Sequence, residues 1–342
     1  MPWSLAQAER KLGLESKVLL TEQNWLDYPY DFCLHLENKT RFEKLIMKIK
    51  TFFEVRDKYD VFHFNFGSTL IDYFNYGIHL IDLPFYKGKK VFTYNGCDAR
   101  QKYPTIKRTQ FSACLEENCY GGICNSGDRD HIKKKRIEKV SKYADHIFTV
   151  NPDLMYFLPE KKSSFLPYAV AGWDSIKFDD YKIKNKLCLV HAPTNRGAKG
   201  SKYILKALEN LKNRYKNIEI LIIENIPNKD ALNLYKKAHI VIDQVLIGWY
   251  GGLAVEVMKM GKPVAVFIRD EDLKFIPKEM AKQLKDTIIN VNPFNLEEEL
   301  SKYIENTNLL IQKSQASLEY VYRWHDPKYV ASITKSVYEK YL

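Results

Sequence analysis

The second half of the chain alternates short apolar runs with amphipathic segments, and this alternation constrains the fold more than any other feature. The apolar runs that indicate buried strands cover 187–191, 218–223, 240–243 and 263–267. Helical periodicity covers 202–214 and 230–237, and a further helix begins at the glycine pair 251–252 and ends near 261. Alternation of this kind predicts a parallel sheet with helices on both faces.

The glycine pair Gly251–Gly252 marks the start of the helix that follows the third of these strands. Glycine lets the backbone approach a ligand closely, and the free amides at a helix start attract an anion. Glu256 lies about one helical turn further on, where its carboxylate can accept two hydrogen bonds from a vicinal diol such as ribose. One short segment can therefore hold a phosphate and a sugar. The alternative is a strand–helix–strand unit whose glycines only pack tightly.

A polar loop with two cations, Arg196 and Lys199, follows the strand that begins at residue 187. Ligands of doubly wound folds bind at the carboxyl ends of the strands, and an arginine fork beside a lysine point charge suits a diphosphate. The backbone of Asn225 and Ile226 follows the next strand and is a candidate edge for a nucleotide base. The alternative for the two cations is a solvated basic loop.

Two of these segments resemble one family. Residues 248–264, GWYGGLAVEVMKMGKPV, resemble the donor-binding signature of retaining glycosyltransferases of family four, and residues 191–201, HAPTNRGAKGS, resemble the diphosphate loop of the same enzymes. The resemblance implies an α/β protein of the GT-B fold, with two Rossmann-like parallel-sheet domains facing a cleft. It implies an acceptor-side domain at 1–168, a domain that binds a nucleotide sugar at 169–325, and a C-terminal helix at 326–342 that crosses back to the first domain.

The chain departs from the family pattern at three places. The family carries a Glu eight residues before its second Glu, where this chain has Gly248, so the identity of the donor sugar stays open. Arg196 also lies closer to Lys199 than in many members. Residues 2–20 resemble the first helix and second strand of the family without its first strand. We therefore expect the reading frame upstream of Met1 to encode a strand and a glycine turn.

The first half contributes three candidate site residues. His63 ends a D-V-x-H stretch, and the resemblance implies that it faces the donor sugar, whereas the pattern alone favours a packed or hydrogen-bonded histidine. Asp98 and Arg100 follow a strand predicted at 90–94 and are candidates for binding acceptor hydroxyls or a phosphate. Their alternative is a salt bridge within the loop. Between these segments, the apolar and aromatic residues of 68–86 predict a buried helix followed by a turn.

The cysteines give little support for a metal site. Cys114, Cys119 and Cys124 are separated by four residues each, but CxxC pairs are absent. The spacing is loose for zinc, and we predict no metal and no cofactor other than the donor substrate, a UDP-sugar or GDP-sugar. A zinc site formed by these cysteines, with Cys97 and His131 nearby in sequence, is the alternative.

The 342 residues carry a formal net charge of +11, which favours anionic partners. Nucleotide sugars, lipid-linked phosphate acceptors and a peripheral contact with an anionic membrane are all consistent with this charge. Zinc-finger spacing, an RRM aromatic motif and basic repeats are absent from the sequence, so we expect no nucleic acid partner. Since no apolar run approaches the ~20 residues that span a bilayer, we expect a cytoplasmic protein, and attachment to the inner face of the cell membrane stays open.

These features predict an enzyme that moves a sugar from a nucleotide-diphosphate sugar to a glycan or lipid-linked acceptor, in the assembly of surface polysaccharide or lipopolysaccharide. Arg196, Lys199 and the amides of 251–253 stabilise the leaving diphosphate without a metal ion. By the resemblance, the reaction retains the anomeric configuration, and His63 belongs to the catalytic residues. Two alternatives stay open. One is a catalytically silent GT-B homologue that binds nucleotide sugars or acts as a scaffold, and the other is an epimerase that releases UDP.

Overall fold

The computed structural model describes residues 1–23, 28–73, 77, 79–179, 181–183 and 186–342. It forms two compact units of the α/β class, and every strand pair in their sheets is parallel. The first unit comprises 1–103, 126–167 and 327–342, and the second comprises 104–125 and 168–326. The prediction of an α/β chain with two Rossmann-like parallel-sheet domains is confirmed.

The strands and helices follow one another in chain order. Up to residue 167 they are α1 (Pro2–Lys11), β1 (Leu19–Leu20), β2 (Phe32–Cys33), α2 (Arg41–Val55), β3 (Val61–Asn65), β4 (Lys89–Tyr94), α3 (Lys102–Arg108), α4 (Asp128–Tyr143), β5 (His146–Thr149) and β6 (Ser163–Phe165). From residue 168 they are β7 (Leu187–His191), α5 (Arg196–Lys199), α6 (Ser201–Arg214), β8 (Ile218–Ile222), α7 (Asn228–Tyr235), β9 (Ile240–Ile242), α8 (Gly252–Lys259), β10 (Val264–Val266), α9 (Lys278–Thr287), β11 (Ile289–Asn290), α10 (Leu296–Glu305), α11 (Thr307–Trp324) and α12 (Pro327–Tyr341).

The first unit is built on a four-stranded sheet in the order β3-β4-β5-β6, and β1 and β2 form a separate two-stranded sheet. Its main core contains Phe92, Ile147 and Leu154, all fully buried. The last helix of the chain, α12, packs against α1 and buries the carboxylate of Glu9, which accepts hydrogen bonds from two side chains of α12. The first and last helices of the chain therefore belong to the same unit.

The second unit is built on a five-stranded sheet in the order β11-β10-β9-β7-β8. The chain passes from β7 to β8 on one side and then returns to place β9, β10 and β11 on the other side of β7. The strand order reverses between β7 and β9, and in open α/β sheets ligands bind at the carboxyl ends of the strands at such a point. Leu189, Ile240 and Ala265, one residue from each of β7, β9 and β10, are completely buried in one core cluster. A packed core therefore holds these three strands in position.

The buried helix predicted over 68–86 is wrong for its described residues, which form turns and a short 3-10 helix at Leu83–Phe85. The buried carboxylate of Asp82 accepts hydrogen bonds from the Thr69 hydroxyl, the Ile71 N–H and the Tyr86 hydroxyl. The Ile71 N–H is held by a carboxylate 11 residues further along instead of by a helical carbonyl, and this tertiary contact explains the difference. Residues 74–76 and 78 of this stretch lie outside the described residues.

Candidate functional site

A buried carboxylate lies at the point where the strand order of the second unit reverses. Asp243 directly follows β9 and is completely buried. Its Oδ1 accepts a hydrogen bond from Lys199 Nζ at 2.7 Å, and its Oδ2 accepts one from the Gly251 N–H at 2.8 Å. Lys199 is the last residue of α5, the short helix after β7, and Gly251 precedes α8. Asp243 therefore holds together the two segments that the sequence predicts to bind a diphosphate.

The start of α8 is shaped by Gly251, its N-cap residue. A Cβ atom at this position would lie 3.5 Å from Lys199 Nζ, so the ammonium group and the turn are in close proximity. Glycine offers no side-chain oxygen, and no side chain of the described residues caps this helix. The first amides of a helix have no partner within it, and the helix dipole adds partial positive charge there. The amides of Gly252 and Leu253 and the ammonium of Lys199 can together receive an anion.

Glu256 lies one turn inside α8 and is almost completely buried, with 5% of its surface exposed. The Asn228 side-chain amide donates a hydrogen bond to Glu256 Oε1 at 3.1 Å. Burial raises the pKa of Glu256 to about 7, although the bond from Asn228 opposes this shift. Asn228 is the first residue of α7 and was missed by the sequence analysis, because only the packing of α7 on α8 brings it to the carboxylate.

Arg196 is placed differently from Lys199. Its guanidinium pairs with Glu224 through Nε–Oε1 at 2.8 Å and Nη2–Oε2 at 2.6 Å, at the end of β8. The Arg196 side chain is 60% exposed, so solvent and an anionic ligand can reach the guanidinium and compete with Glu224. Asn225 follows in a left-handed conformation with φ of +56°, and together with Ile226 it forms the turn between β8 and α7.

Gly248 lies eight residues before Glu256, at the position where the family that the sequence resembles carries another glutamate. Its φ of +89° is left-handed, and a Cβ atom here would lie 2.5 Å from Arg269 Nη1. Arg269 is buried, and its guanidinium donates to Asp272 Oδ2 at 3.0 Å and to the Phe111 carbonyl at 2.9 Å. The space for a side chain at 248 is therefore filled by a cation that is itself held in place.

The candidate residues of the first unit are engaged within that unit. His63 Nδ1 lies 2.6 Å from the Tyr338 hydroxyl of α12, and His63 Nε2 lies 2.6 Å from Thr93 Oγ1. Burial lowers the pKa of His63 to about 3, so the ring is neutral. Both ring nitrogens therefore have partners, as in the hydrogen-bonded histidine that the D-V-x-H pattern alone favours.

Asp98 and Arg100 also have partners within the first unit. The Asp98 carboxylate accepts the N–H groups of Asn95 at 2.8 Å and Gly96 at 2.6 Å, which closes the turn after β4, and burial raises its pKa. Arg100 forms a buried two-point pair with Asp153, with Nε–Oδ2 at 2.6 Å and Nη2–Oδ1 at 2.8 Å. A salt bridge was the alternative for these residues, and Arg100 makes it with a partner 53 residues away.

A buried polar cluster supports the turn of the second unit from behind. The Tyr250 hydroxyl lies 2.8 Å from the Tyr320 hydroxyl and 2.8 Å from His325 Nε2, while His325 Nδ1 lies 2.9 Å from the Tyr168 carbonyl. Burial lowers the pKa of His325 to about 4. The ring of Trp249 stacks on Tyr250 at 4.3 Å between centroids. The aromatic pair before the glycines therefore fixes the position of the turn.

The fold is similar to that of solved structures of the GT-B class. Sucrose-phosphate synthase from Thermosynechococcus elongatus superposes with a TM-score of 0.59 and 13% identity over 98% of this chain and 91% of that chain. The S. aureus MnaA–UDP structure gives 0.55 and 15% over 100% and 95%. Anabaena HepE in complex with UDP-glucose gives 0.59 and 11% over 88% and 84%. No family model and no curated sequence matches the chain. The predicted GT-B fold is confirmed.

Proposed function

We propose that this protein is a glycosyltransferase that moves a sugar from a nucleotide-diphosphate sugar to a glycan or lipid-linked acceptor. The observation that carries the proposal is the meeting of Lys199 and the Gly251 turn on the buried carboxylate of Asp243. It lies where the sheet of the second unit reverses its strand order, the place at which ligands of such sheets bind. Similarity in fold to HepE, solved with UDP-glucose, and to MnaA, solved with UDP, supports the same ligand class.

In the proposed complex the diphosphate lies between the Lys199 ammonium and the amides of Gly252 and Leu253. Asp243 is the only described residue that accepts a hydrogen bond from Lys199 Nζ, which leaves two of its three donors for phosphate oxygens. As the bond from the sugar to the diphosphate breaks, negative charge grows on the leaving group. Fixed donors aimed at that charge stabilise the transition state, and this term is usually the largest in such reactions.

Glu256 binds the ribose diol in the same proposal, with Asn228 fixing the orientation of its carboxylate. Arg196 moves from Glu224 to the diphosphate, and the turn at Asn225 and Ile226 lies along the nucleotide base. Retention of anomeric configuration, activity without a metal ion, and a role in polysaccharide or lipopolysaccharide assembly follow from the family resemblance and belong to the proposal. So do an acceptor-side role for Asp98 and Arg100 of the first unit and a catalytic role for His63, which the family resemblance places facing the donor sugar.

A peripheral contact with an anionic membrane is also part of the proposal. Among the described residues, none of the helices combines the length and the apolar character that a membrane span requires. Helix α2 instead exposes an apolar stripe, which consists of Phe42, Ile46, Ile49 and Phe53. Because these residues repeat at i, i+4, i+7 and i+11, they share one face of the helix, and Lys50 borders that face.

Titration with nucleotides followed by a transfer assay tests the proposal. A nucleotide that binds the folded chain, supplied at about 100 times its Kd, raises the free energy of unfolding by roughly 2.7 kcal/mol. We expect UDP or GDP to give such a shift, and the matching nucleotide sugar to give a glycosylated acceptor. Binding without transfer would instead identify the silent homologue, and an epimerised sugar formed together with UDP in the absence of any acceptor would identify the epimerase. No stabilisation by either nucleotide contradicts the donor site.

A further inference from the structure

Three side chains with metal-binding atoms lie together at the end of β2, in the first unit. They are Cys33, His35 and Glu37, which alternate along the chain. The Cys33 thiol sulfur, a ring nitrogen of His35 and a carboxylate oxygen of Glu37 all lie within 4.8 Å of one another. Among the described residues, Cys33, His35 and Glu37 are the one group of three histidine, cysteine or acidic side chains whose ligand atoms lie this close together. The cluster of Cys114, Cys119 and Cys124, the alternative zinc site of the sequence analysis, does not form such a group there.

Backbone hydrogen bonds to β1 and the residue after it hold the segment that carries these three residues in place. The segment runs beside β1, and the N–H groups of Leu34 and Leu36 donate to the carbonyls of Leu20 at 3.0 Å and Thr21 at 3.2 Å. Leu36 is buried, with 1% of its surface exposed, whereas His35 and Glu37 are exposed. Buried leucine contacts therefore anchor the segment from below. The metal-binding side chains lie at the carboxyl ends of a parallel strand pair, the edge at which α/β sheets place their ligands.

The potential ligand atoms are available for binding. Cys33 is a free thiol that is partly accessible. Within the described residues, neither ring nitrogen of His35 takes part in a hydrogen bond; the ring makes an edge contact with Tyr30 at 6.0 Å between centroids. The Glu37 carboxylate accepts the Gln23 N–H and its own backbone N–H, which orient it, and a carboxylate has further lone pairs for a metal ion. The group is thus open to solvent and can receive an ion.

We propose that Cys33, His35 and Glu37 bind a zinc-class divalent cation, with water in the fourth position. Zinc takes thiolate, imidazole and carboxylate ligands at roughly 2.3, 2.0–2.1 and 2.0–2.2 Å, and three protein ligands with one open position are a common arrangement. Ligand atoms around one tetrahedral ion at these distances lie roughly 3.4–3.6 Å apart. Small rotations of exposed side chains bring atoms now within 4.8 Å to that separation.

The chemistry of the ligand set selects the class of ion. A thiolate and an imidazole favour zinc and cobalt over magnesium and calcium, which prefer oxygen ligands. On binding, the Cys33 thiol releases its proton to the buffer, because the thiolate is the ligand. One thiolate and one carboxylate then neutralise the two positive charges of the ion. The site is built on the β1–β2 sheet of the first unit, whereas the proposed donor site is built on the second unit.

Cobalt and zinc titrations of the reduced, metal-free full chain test this proposal without any assay of activity. We expect one Co²⁺ per chain, with a thiolate-to-cobalt charge-transfer band and intense d–d bands of four-coordinate geometry, and displacement of the cobalt by Zn²⁺. Cys33→Ser abolishes the charge-transfer band. It also weakens Zn²⁺ binding by more than the roughly 10–100-fold that the loss of an outer-shell partner costs. His35→Gln and Glu37→Gln weaken binding as well.

The matched control is Cys97→Ser, which removes another accessible thiol of the same unit and leaves the cobalt spectrum unchanged. The proposal is overturned if the unaltered chain gives no charge-transfer band, or if the band survives Cys33→Ser. It is also overturned if the band is lost instead in a Cys114→Ser, Cys119→Ser, Cys124→Ser triple variant. Thermal unfolding of the metal-free variants shows whether each is folded. Glu37→Gln alters one exposed side chain and decides the matter if Cys33→Ser misfolds.

Discussion

Lys199 is the residue on which the proposed donor site depends most. Its ammonium is held by Asp243 beside the start of α8, so removing it leaves the growing charge of the diphosphate without its nearest cation. We expect Lys199→Ala to lower kcat by about 10²–10³, equivalent to roughly 2.7–4 kcal/mol of barrier. Steady-state kinetics with the donor found by nucleotide titration measures this effect.

The matched control for Lys199 is Lys202→Ala, three residues further along. Lys202 is 63% exposed on its side chain and pairs with Glu116, so its loss leaves kcat within about twofold. Arg196→Ala has an intermediate effect, because Arg196 is paired with Glu224 before any ligand arrives. Full activity of both Lys199→Ala and Glu256→Ala is incompatible with the assigned site.

Glu256 makes donor binding dependent on pH. Its pKa is raised to about 7 by burial, so the carboxyl is largely protonated below that pH and ionised above it. The ionised form accepts two hydrogen bonds from the ribose diol, whereas the protonated form has lost part of that capacity. We expect the Kd for the donor to fall as the pH rises from 6 to 8. Calorimetric titration across this range measures it, and Glu256→Gln, which does not titrate, gives a flatter profile. Equal slopes for the two proteins contradict the role of Glu256.

Gly248 tests whether Arg269 occupies the place of the family's missing carboxylate. Gly248→Ala forces a Cβ atom to 2.5 Å from Arg269 Nη1, and moving that guanidinium breaks its buried bonds to Asp272 and Phe111. Gly13 is a matched control, since its φ of +88° is nearly the same and no atom lies within 4 Å of its added Cβ. Both alanine variants bear the backbone cost of about 1–2 kcal/mol. Gly248→Ala loses a further 1–3 kcal/mol, roughly, from overpacking. If urea unfolding gives the same loss of unfolding free energy for Gly248→Ala and Gly13→Ala, the Arg269 side chain moves aside without cost.

At the scale of elements, α2 has one face packed in the core of the first unit and one exposed apolar face. Phe52 is buried against the aromatic cluster of the first unit, whereas Phe42 and Phe53 are 71% and 60% exposed. We expect the double variant Phe42→Ser, Phe53→Ser to lose most of its binding to vesicles of anionic phospholipid, and to unfold at the same temperature as the unaltered chain. Vesicle sedimentation measures the binding, with vesicles of zwitterionic lipid as the lipid control.

The protein control for α2 is Phe294→Ser, which removes an aromatic ring that is 82% exposed and lies outside the stripe. We expect it to sediment with anionic vesicles like the unaltered chain. If the double variant of α2 binds as well as this control, the stripe is not a membrane contact. Lost binding of both variants would point to a general effect of exposed aromatic residues.

At the scale of the whole molecule, the strand and helix content of the second unit was predictable, but its side-chain pairs were not. Each predicted strand from 187 to 267 is found, and α8 begins at Gly252 as its glycine pair predicts. The 68–86 helix failed because apolar periodicity does not separate a buried helix from packed turns, and the hydrogen bonds of Asp82 decided against the helix. Side-chain pairing was not predictable either, as Arg100 and Asp153 show: they pair across 53 residues, and no pattern near either residue selects the other as its partner.

The sequence by itself determined where strands and helices alternate and where glycine starts a helix, because side-chain periodicity and turn chemistry act over a few residues. Only the tertiary structure decided which polar groups meet. Asp243 reaches Lys199, 44 residues earlier in the chain, because β9 lies beside β7 and β8 lies on the other side. His63 is bound by Tyr338 because α12 returns to the unit that contains α1. Strand order and helix packing are set by burial of the whole core, and no short stretch of sequence encodes them.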